Sequence, residues 1–559
     1  MSKNSNNKTT NNKRLDRVAP SKRSTGDRVY NSRSKTREKD RVEHSPGRPS
    51  PGYVDALAAS LNDVDWYAAS PELLMDAASI SYNAAVGTPL HLMDGVATPG
   101  EALPSTNYPS VPGIMAFKTT IIPGCSEDNQ SPINICAKNV YAYVRYVNSG
   151  HANYDPADLM MYILALDSAY TMVAWMRRIY GQLMLASQYN RYMLRCMIQS
   201  EGMDYDDLSQ HIVDLRYFIN QFQLKLGSFV IPKDFTFFTR HMWMFSNVYL
   251  DEPNQKAQMY KFVPDGFWRY VEDEGPGKLV FDSLTGVSTF ADLVSYANTI
   301  LNALASSEDC GIISGDILKA FGDDRIFKMD ALLPEYLVLP VPNEEVLDQI
   351  QNLTITGPLL MDPNYDFRVP TIWQSTSLDG KTAGALMFAP YTLSLGDILY
   401  APSVDRLISV DNPVPSPATT MVATRLLAMG EPETINNATY WKWSAIGSEM
   451  ITGGLVYYWD KVSGFVGNYL DNTFAYQPRS IINYASWLNY IAKVDCFDRH
   501  PAFYLFTKDG NNSLFLSNLL FDISNYTFVS KDVMHRMHLT ALLSMLNVPV
   551  MGSYATKLK

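Results

Sequence analysis

The sequence predicts a mainly α body with an inserted α+β or β-rich domain, carried behind a disordered basic N-terminal arm. Three observations lead there: a cation-rich, apolar-poor first 50 residues, apolar residues at three- and four-residue steps between 157 and 305, and a change between about 345 and 480 to short apolar runs broken by Pro, Gly and Thr. At 559 residues the chain exceeds one ordinary core. At about 100–200 residues per domain it should form two or three compact units.

The arm comes first. Residues 1–50 hold 14 Lys and Arg against five Asp and Glu, a balance of +9, which leaves −20 of the total −11 to the other 509 residues. Leu15, Val18, Val29 and Val42 are isolated among polar residues, so the segment buries too little surface to offset chain entropy. Ser45-Pro46-Gly47-Arg48-Pro49-Ser50-Pro51-Gly52 closes it as a hinge, setting the arm at 1–52. Mobile cations bind phosphates by counterion release, without sequence preference. The candidate nucleic-acid contacts are Lys3, Lys8, Lys13, Arg14, Arg17, Lys22, Arg23, Arg28, Arg33, Lys35, Arg37 and Arg41. Base stacking is not indicated, since Tyr30 is the arm's sole aromatic.

The body reads as a helix-rich part at 53–345, a β-rich block at 346–480 and a helical C-terminal part at 481–559. After Asp155-Pro156, residues Leu159, Tyr162, Ile163, Leu166, Tyr170, Val173 and Met176 give a helix over 157–185 buried on one broad face. A second runs from about Asp207 to Gly227 and a third from about Thr289 to Ala305. Runs such as Leu386-Met387-Phe388 and Leu455-Val456-Tyr457-Tyr458-Trp459 predict strands in the block. Helical spacing returns at 481–493 and 532–546, so the block interrupts one helical domain.

No motif indicates a reaction or a cofactor, and the reading is structural rather than enzymatic. The dispersed Cys125, Cys136, Cys196, Cys310 and Cys496 form neither a zinc ribbon nor a disulfide framework, which suits a reducing compartment. The Met1-Ser2-Lys3-Asn4-Ser5 start has no apolar signal region, and no run reaches the ~18 apolar residues of a membrane span, so the chain is expected to be soluble and made in the cytosol. Ser375 to Thr382, ending Asp379-Gly380-Lys381-Thr382, lacks the first glycine of a phosphate-binding loop and reads as a surface turn. His535 and His538, three apart on a helix, read as half-exposed histidines with Asp532 as a cap, not as metal ligands. One self-cleavage chemistry is open: attack of an Asn side-chain amide on its own carbonyl at Asn62-Asp63 or Asn83-Ala84.

The stretch Asp155-Pro156-Ala157-Asp158-Leu159-Met160-Met161-Tyr162-Ile163-Leu164-Ala165-Leu166-Asp167-Ser168-Ala169-Tyr170, continuing to Ala174-Trp175-Met176-Arg177-Arg178-Ile179-Tyr180-Gly181, resembles picobirnavirus capsid proteins. The overall plan is also similar to that family and, more loosely, to partitivirus capsids. The resemblance implies a helical shell domain, with the β-rich block as a projecting domain that meets a host-cell surface or membrane. It further implies dimers that build a small icosahedral shell around double-stranded RNA, residence in the virion after synthesis in the host cytoplasm, and no small-molecule substrate. The alternative is a non-assembling nucleic-acid-binding protein that uses the same arm, and stoichiometry separates the two. Arg177 and Arg178 are expected to offset carbonyls at the helix end or to face a neighbouring subunit.

Overall fold

The computed structural model describes residues 71–79, 113–149, 153–185, 193–253, 257–272, 277–393, 405–460, 464–470, 475–476, 493–508, 514–520, 523 and 525–548. The chain divides into two units, residues 1–83 and 84–559. In the first, helix α1 (Pro71–Ser79) is the described element. The arm at 1–52, the Asn62-Asp63 and Asn83-Ala84 bonds and most of the periodic stretch 481–493 lie outside the described residues.

In chain order the second unit begins β1 (Ile114–Ile121), α2 (Pro132–Val147), α3 (Pro156–Leu183), α4 (Met193–Gln199), α5 (Tyr205–Gln210), α6 (Ile212–Leu226) and α7 (Thr236–Ser246). It continues β2 (Tyr249–Leu250), β3 (Met259–Pro264), β4 (Gly266–Val271), β5 (Lys278–Ser283), α8 (Phe290–Ser306), α9 (Glu308–Phe321), β6 (Val341–Pro342) and α10 (Glu344–Asn352). Then come β7 (Thr371–Gln374), β8 (Leu386–Met387), β9 (Tyr391–Leu393), β10 (Arg406–Val410), α11 (Pro417–Ala423), β11 (Met429–Ile435), β12 (Ala438–Ala445), β13 (Glu449–Asp460) and β14 (Gly464–Leu470). β15 (Ala475–Tyr476), β16 (Phe503–Lys508), β17 (Leu514–Leu520), β18 (Asn525–Val529) and α12 (Lys531–Met545) follow.

Helix α3 is the axis of the core. Pro156 opens it at a position where a missing N–H costs nothing, and Asp158 accepts from the Asp155 amide. Of its residues only Pro156, Asp158 and Arg177 escape full burial, so the expectation of one buried face is corrected: the helix is enclosed all round. It is long and apolar enough to cross a membrane, but all of it lies inside the protein, as the core helix of a folded body does. Its polar groups are used: Tyr162 donates to the Val230 carbonyl, and Ser168 accepts from the Trp268 amide.

The predicted helix from Asp207 to Gly227 is two helices, α5 and α6, broken at His211, whose ring stacks on Phe290 at 5.3 Å. α8 forms as expected, because Thr289 and Asp292 cap each other's backbone amides.

The fold is mixed α/β: helices with several sheets. A six-stranded sheet runs β14-β13-β1-β3-β2-β6, with β1 parallel to β3 and antiparallel to β13. Strands from residues 346–480 therefore sit beside strands from 113–345, and β7 and β8 extend the β4-β5 hairpin in the same way. The sheet β11-β12-β9 draws wholly on 346–480. Its β11–β12 hairpin turns at Asn436 and Asn437, both at positive φ, the backbone that a two-residue turn of the favoured hand requires. The C-terminal part is not wholly helical. It carries β16, β17 and β18 before α12, whose Leu542 and Met545 rejoin the main core. Ser530, not Asp532, caps α12.

Near its end α3 is crossed by the segment at 336–338, and the Val338 amide donates to the Gly181 carbonyl at 3.3 Å. A Cβ at Gly181 would meet Val338 Cγ2 at 2.6 Å and Val338 N at 2.9 Å. Gly181→Ala is accordingly expected to destabilise the body by about 1–3 kcal/mol, the usual range for overpacking, read as a lower denaturant midpoint at unchanged slope.

Candidate assembly and nucleic-acid sites

The twelve arm cations that the sequence nominates, from Lys3 to Arg41, lie outside the described residues. What the body shows instead is two charge networks in its interior, neither of them anticipated, both hung from α3.

The first surrounds Glu201. One carboxylate oxygen accepts from Arg178 at 2.6 Å and from Trp175 Nε1 at 2.9 Å, the other from Gln182 and from Lys261 Nζ, each at 2.9 Å. The side chains of Arg178, Glu201 and Lys261 are fully buried. Burial by itself would raise the Glu201 pKa, but Arg178 and Lys261 outweigh it and hold the group at about 2. Lys261 is pushed down to about 8, because burial and the like charge of Arg178 exceed the attraction of Glu201. Arg178, fully buried, does not face a neighbouring subunit, and besides Glu201 it donates to the Asn247 carbonyl at the end of α7 at 3.3 Å. It links α3 to the turn after α4 and to β3. Arg177, on the outer side, donates to the Asp330 carbonyl and lies 5.2 Å from the Tyr336 ring centre.

The second network joins α3, α7 and β13. His241 Nδ1 donates to Asp167 at 2.8 Å, while Nε2 stands 3.5 Å from Glu449, an ion-pair distance rather than a hydrogen bond. Arg240 and Arg425 also reach Glu449. Burial opposes the charge on His241, yet Asp167 and Glu449 overcome it and raise the pKa to about 9. Glu449 lies well below the usual carboxylate range, since Arg240, Arg425 and His241 outweigh its burial. Asp167 is raised, burial being its largest influence.

Two further sequence expectations can be placed. The stretch 375–382 is a surface turn after β7, where the Thr382 and Ala383 amides both donate to the Asp379 carbonyl and so point inward, away from any phosphate. His535 and His538 do not share a ligand: His535 bonds the Ser444 carbonyl and His538 the Leu427 carbonyl. His538 is buried, not half-exposed, and its pKa falls to about 4, chiefly by burial.

This fold is that of a viral capsid subunit. The chain superposes on a crystal structure of the picobirnavirus capsid with a TM-score of 0.71 at 22% identity, covering 87% of this chain and 98% of that one. A capsid protein precursor of human picobirnavirus is 29% identical over 516 residues, 89% of this chain and 93% of its own length. The family model for the picobirnavirus capsid protein matches residues 66–397, more than half of the sequence, and the chain belongs to that family. Its role is structural, as a component of a virus particle.

Both networks make measurable claims. Glu201→Gln would strand Arg178 and Lys261 in the interior, and a loss of about 3–5 kcal/mol is expected in denaturant unfolding of the unassembled chain. For His241 the folded pKa lies above its ordinary value of 6.5, so its contribution is complete below about 6.5 and is lost as pH climbs to about 9. Lys261 acts oppositely: its folded pKa lies below 10.5, so folding gains as pH rises beyond about 8. His241→Gln should therefore lower stability at pH 6 and flatten the decline between about 6.5 and 8, read from unfolding midpoints over that range.

Proposed function

We propose that the chain pairs into dimers, that these close a small icosahedral shell around double-stranded RNA, and that the arm at residues 1–52 contacts the genome. The observation that carries this reading is the charge division within a capsid-family chain: +9 on the first 50 residues and −20 on the rest. An acidic wall repels RNA while a cationic arm attracts it, so cargo is tethered through the arm and stays mobile against the wall. A projecting domain within 346–480 is supported by the sheet β11-β12-β9, drawn entirely from that stretch. We assign contact with a host-cell surface or membrane to this part, and synthesis to the host cytoplasm.

The human picobirnavirus relative is described as a precursor, which favours a second reading in which the arm is released. Attack of the Asn62 or Asn83 side-chain amide on its own carbonyl would free the following residue's amine and leave a cyclic imide for water to open. An intact mass on purified particles decides it, since an uncut chain keeps the full 62.8 kDa.

The shell reading is tested by expressing the chain alone and examining it by size-exclusion chromatography, electron microscopy and the 260/280 nm absorbance ratio. Uniform spheres are expected, with a ratio that falls when residues 1–52 are deleted. A monomer or small oligomer at every salt and protein concentration would instead establish the non-assembling binder.

A further inference from the structure

We infer that Lys261 and Gln182 join in an intramolecular isopeptide bond, with Glu201 as the catalytic residue that carries protons from one nitrogen to the other. The bond lies within one folded subunit, so the inference goes beyond the shell reading and does not depend on how subunits assemble.

The first charge network brings together the three groups this reaction needs: an amine, a carboxamide and a carboxylate that touches both. Glu201 Oε1 accepts from Lys261 Nζ and from Gln182 Nε2, each at 2.9 Å. The attacking nitrogen and the leaving nitrogen therefore share one oxygen, and stand no further apart than twice that distance. An ionised carboxylate only accepts, which turns Nε2 of Gln182 toward it and the amide oxygen away. That Oε1 of Gln182 is buried without a hydrogen-bond partner among the described residues, and so is Arg178 Nε. One helical turn apart on the same face of α3, the two unpaired groups cost stability as they stand, and acquire a use when attack gathers negative charge on that oxygen.

Lys261 Nζ also donates to the Met197 carbonyl, at 2.5 Å. A neutral amine has two N–H groups, which these two acceptors take, and its lone pair is left for the amide carbon. Burial, and after it the like charge of Arg178, favour this neutral form and bring the pKa down to about 8.

The step balances without an oxidant or a cofactor. The Nζ lone pair bonds to Gln182 Cδ, two protons pass from Nζ through Glu201 to Nε2, and the Cδ–Nε2 bond breaks. The amide nitrogen departs as ammonium and the carboxylate is regenerated. Gln182, Glu201 and Lys261 are all fully buried, so water does not take the carbon first. The charged network described above is the state before the bond, and the product ties α3 to β3 covalently in a chain whose five cysteines are free.

The test uses the full-length protein, incubated at about pH 9, digested and mapped by mass spectrometry. The expected product is a pair of peptides joined through residues 182 and 261, lighter than their sum by one ammonia. The joined chain should also run faster than Gln182→Met in denaturing, reducing electrophoresis, because the bond retains a loop. Gln182→Met removes the carboxamide but strands no charge, since Arg178, Lys261 and Trp175 still hold Glu201, and circular-dichroism melting checks its fold. The fraction joined in a fixed time is expected to rise about tenfold per pH unit and to level off above about 8, as the free amine does. Separate Gln182 and Lys261 peptides from a folded wild-type chain overturn the inference and leave the shell reading untouched. A loss of water that joins Lys261 to Glu201 also overturns it, for then the carboxylate is the acyl group. An ammonia lost only at an asparagine does the same.

Discussion

A helix enclosed on every side must find partners for each charge it carries into the interior, and α3 carries Asp167 and Arg178 there. An isolated buried charge is far costlier than any single packing contact. The rest of the second unit is arranged around meeting that demand. Arg178 needs Glu201, and the carboxylate in turn collects Lys261 from β3. Asp167 needs His241 from α7, which brings in Glu449 from β13 and, through it, Arg240 and Arg425. Eleven residues apart, the two charges lie on nearly the same side of the helix, so both networks draw the central sheet against one flank of α3.

This constraint explains why the β-rich stretch does not stand apart from the helices in pairing. Glu449 is the first residue of β13, the strand that lies between β14 and β1. Removing β13 to a separate domain would leave His241 and two arginines facing an empty place, and would strip β1 of its antiparallel neighbour. The sheet β11-β12-β9 has no such obligation. Its β12 residues Trp441 and Trp443 nonetheless join the main core.

How much of this was legible in the sequence follows from the kind of signal each element leaves. α3, α8 and α12 announce themselves through periodic apolar residues, and α8 also through the reciprocal Thr289–Asp292 cap. Strands of two residues, such as β2 and β6, leave no period to detect, and β1 is buried on both faces, so its apolar run does not alternate. The break at His211 was hidden because apolar residues continue at helical spacing across it. The turn at Asn436-Asn437 did leave a signal, two residues tolerant of positive φ between strand-like runs. The buried ions could not be found in principle: Glu201, Lys261 and Glu449 look like surface residues in one dimension, and only their separation in sequence from α3, closed by the fold, makes them a core. The resemblance to the family is carried by residues 155–181, the enclosed helix α3 with its capping residue Asp155.

A shell subunit has one further problem, since it must be soluble before assembly and adhesive during it. The same physical device that protects the interior, burial of apolar area with charges satisfied, is left incomplete on α6, where a second apolar face has no cover. The body's net negative charge slows random contact between copies, because like-charged surfaces repel at long range. Apolar burial then outweighs that repulsion only where two surfaces fit closely, because its gain scales with the area removed from water.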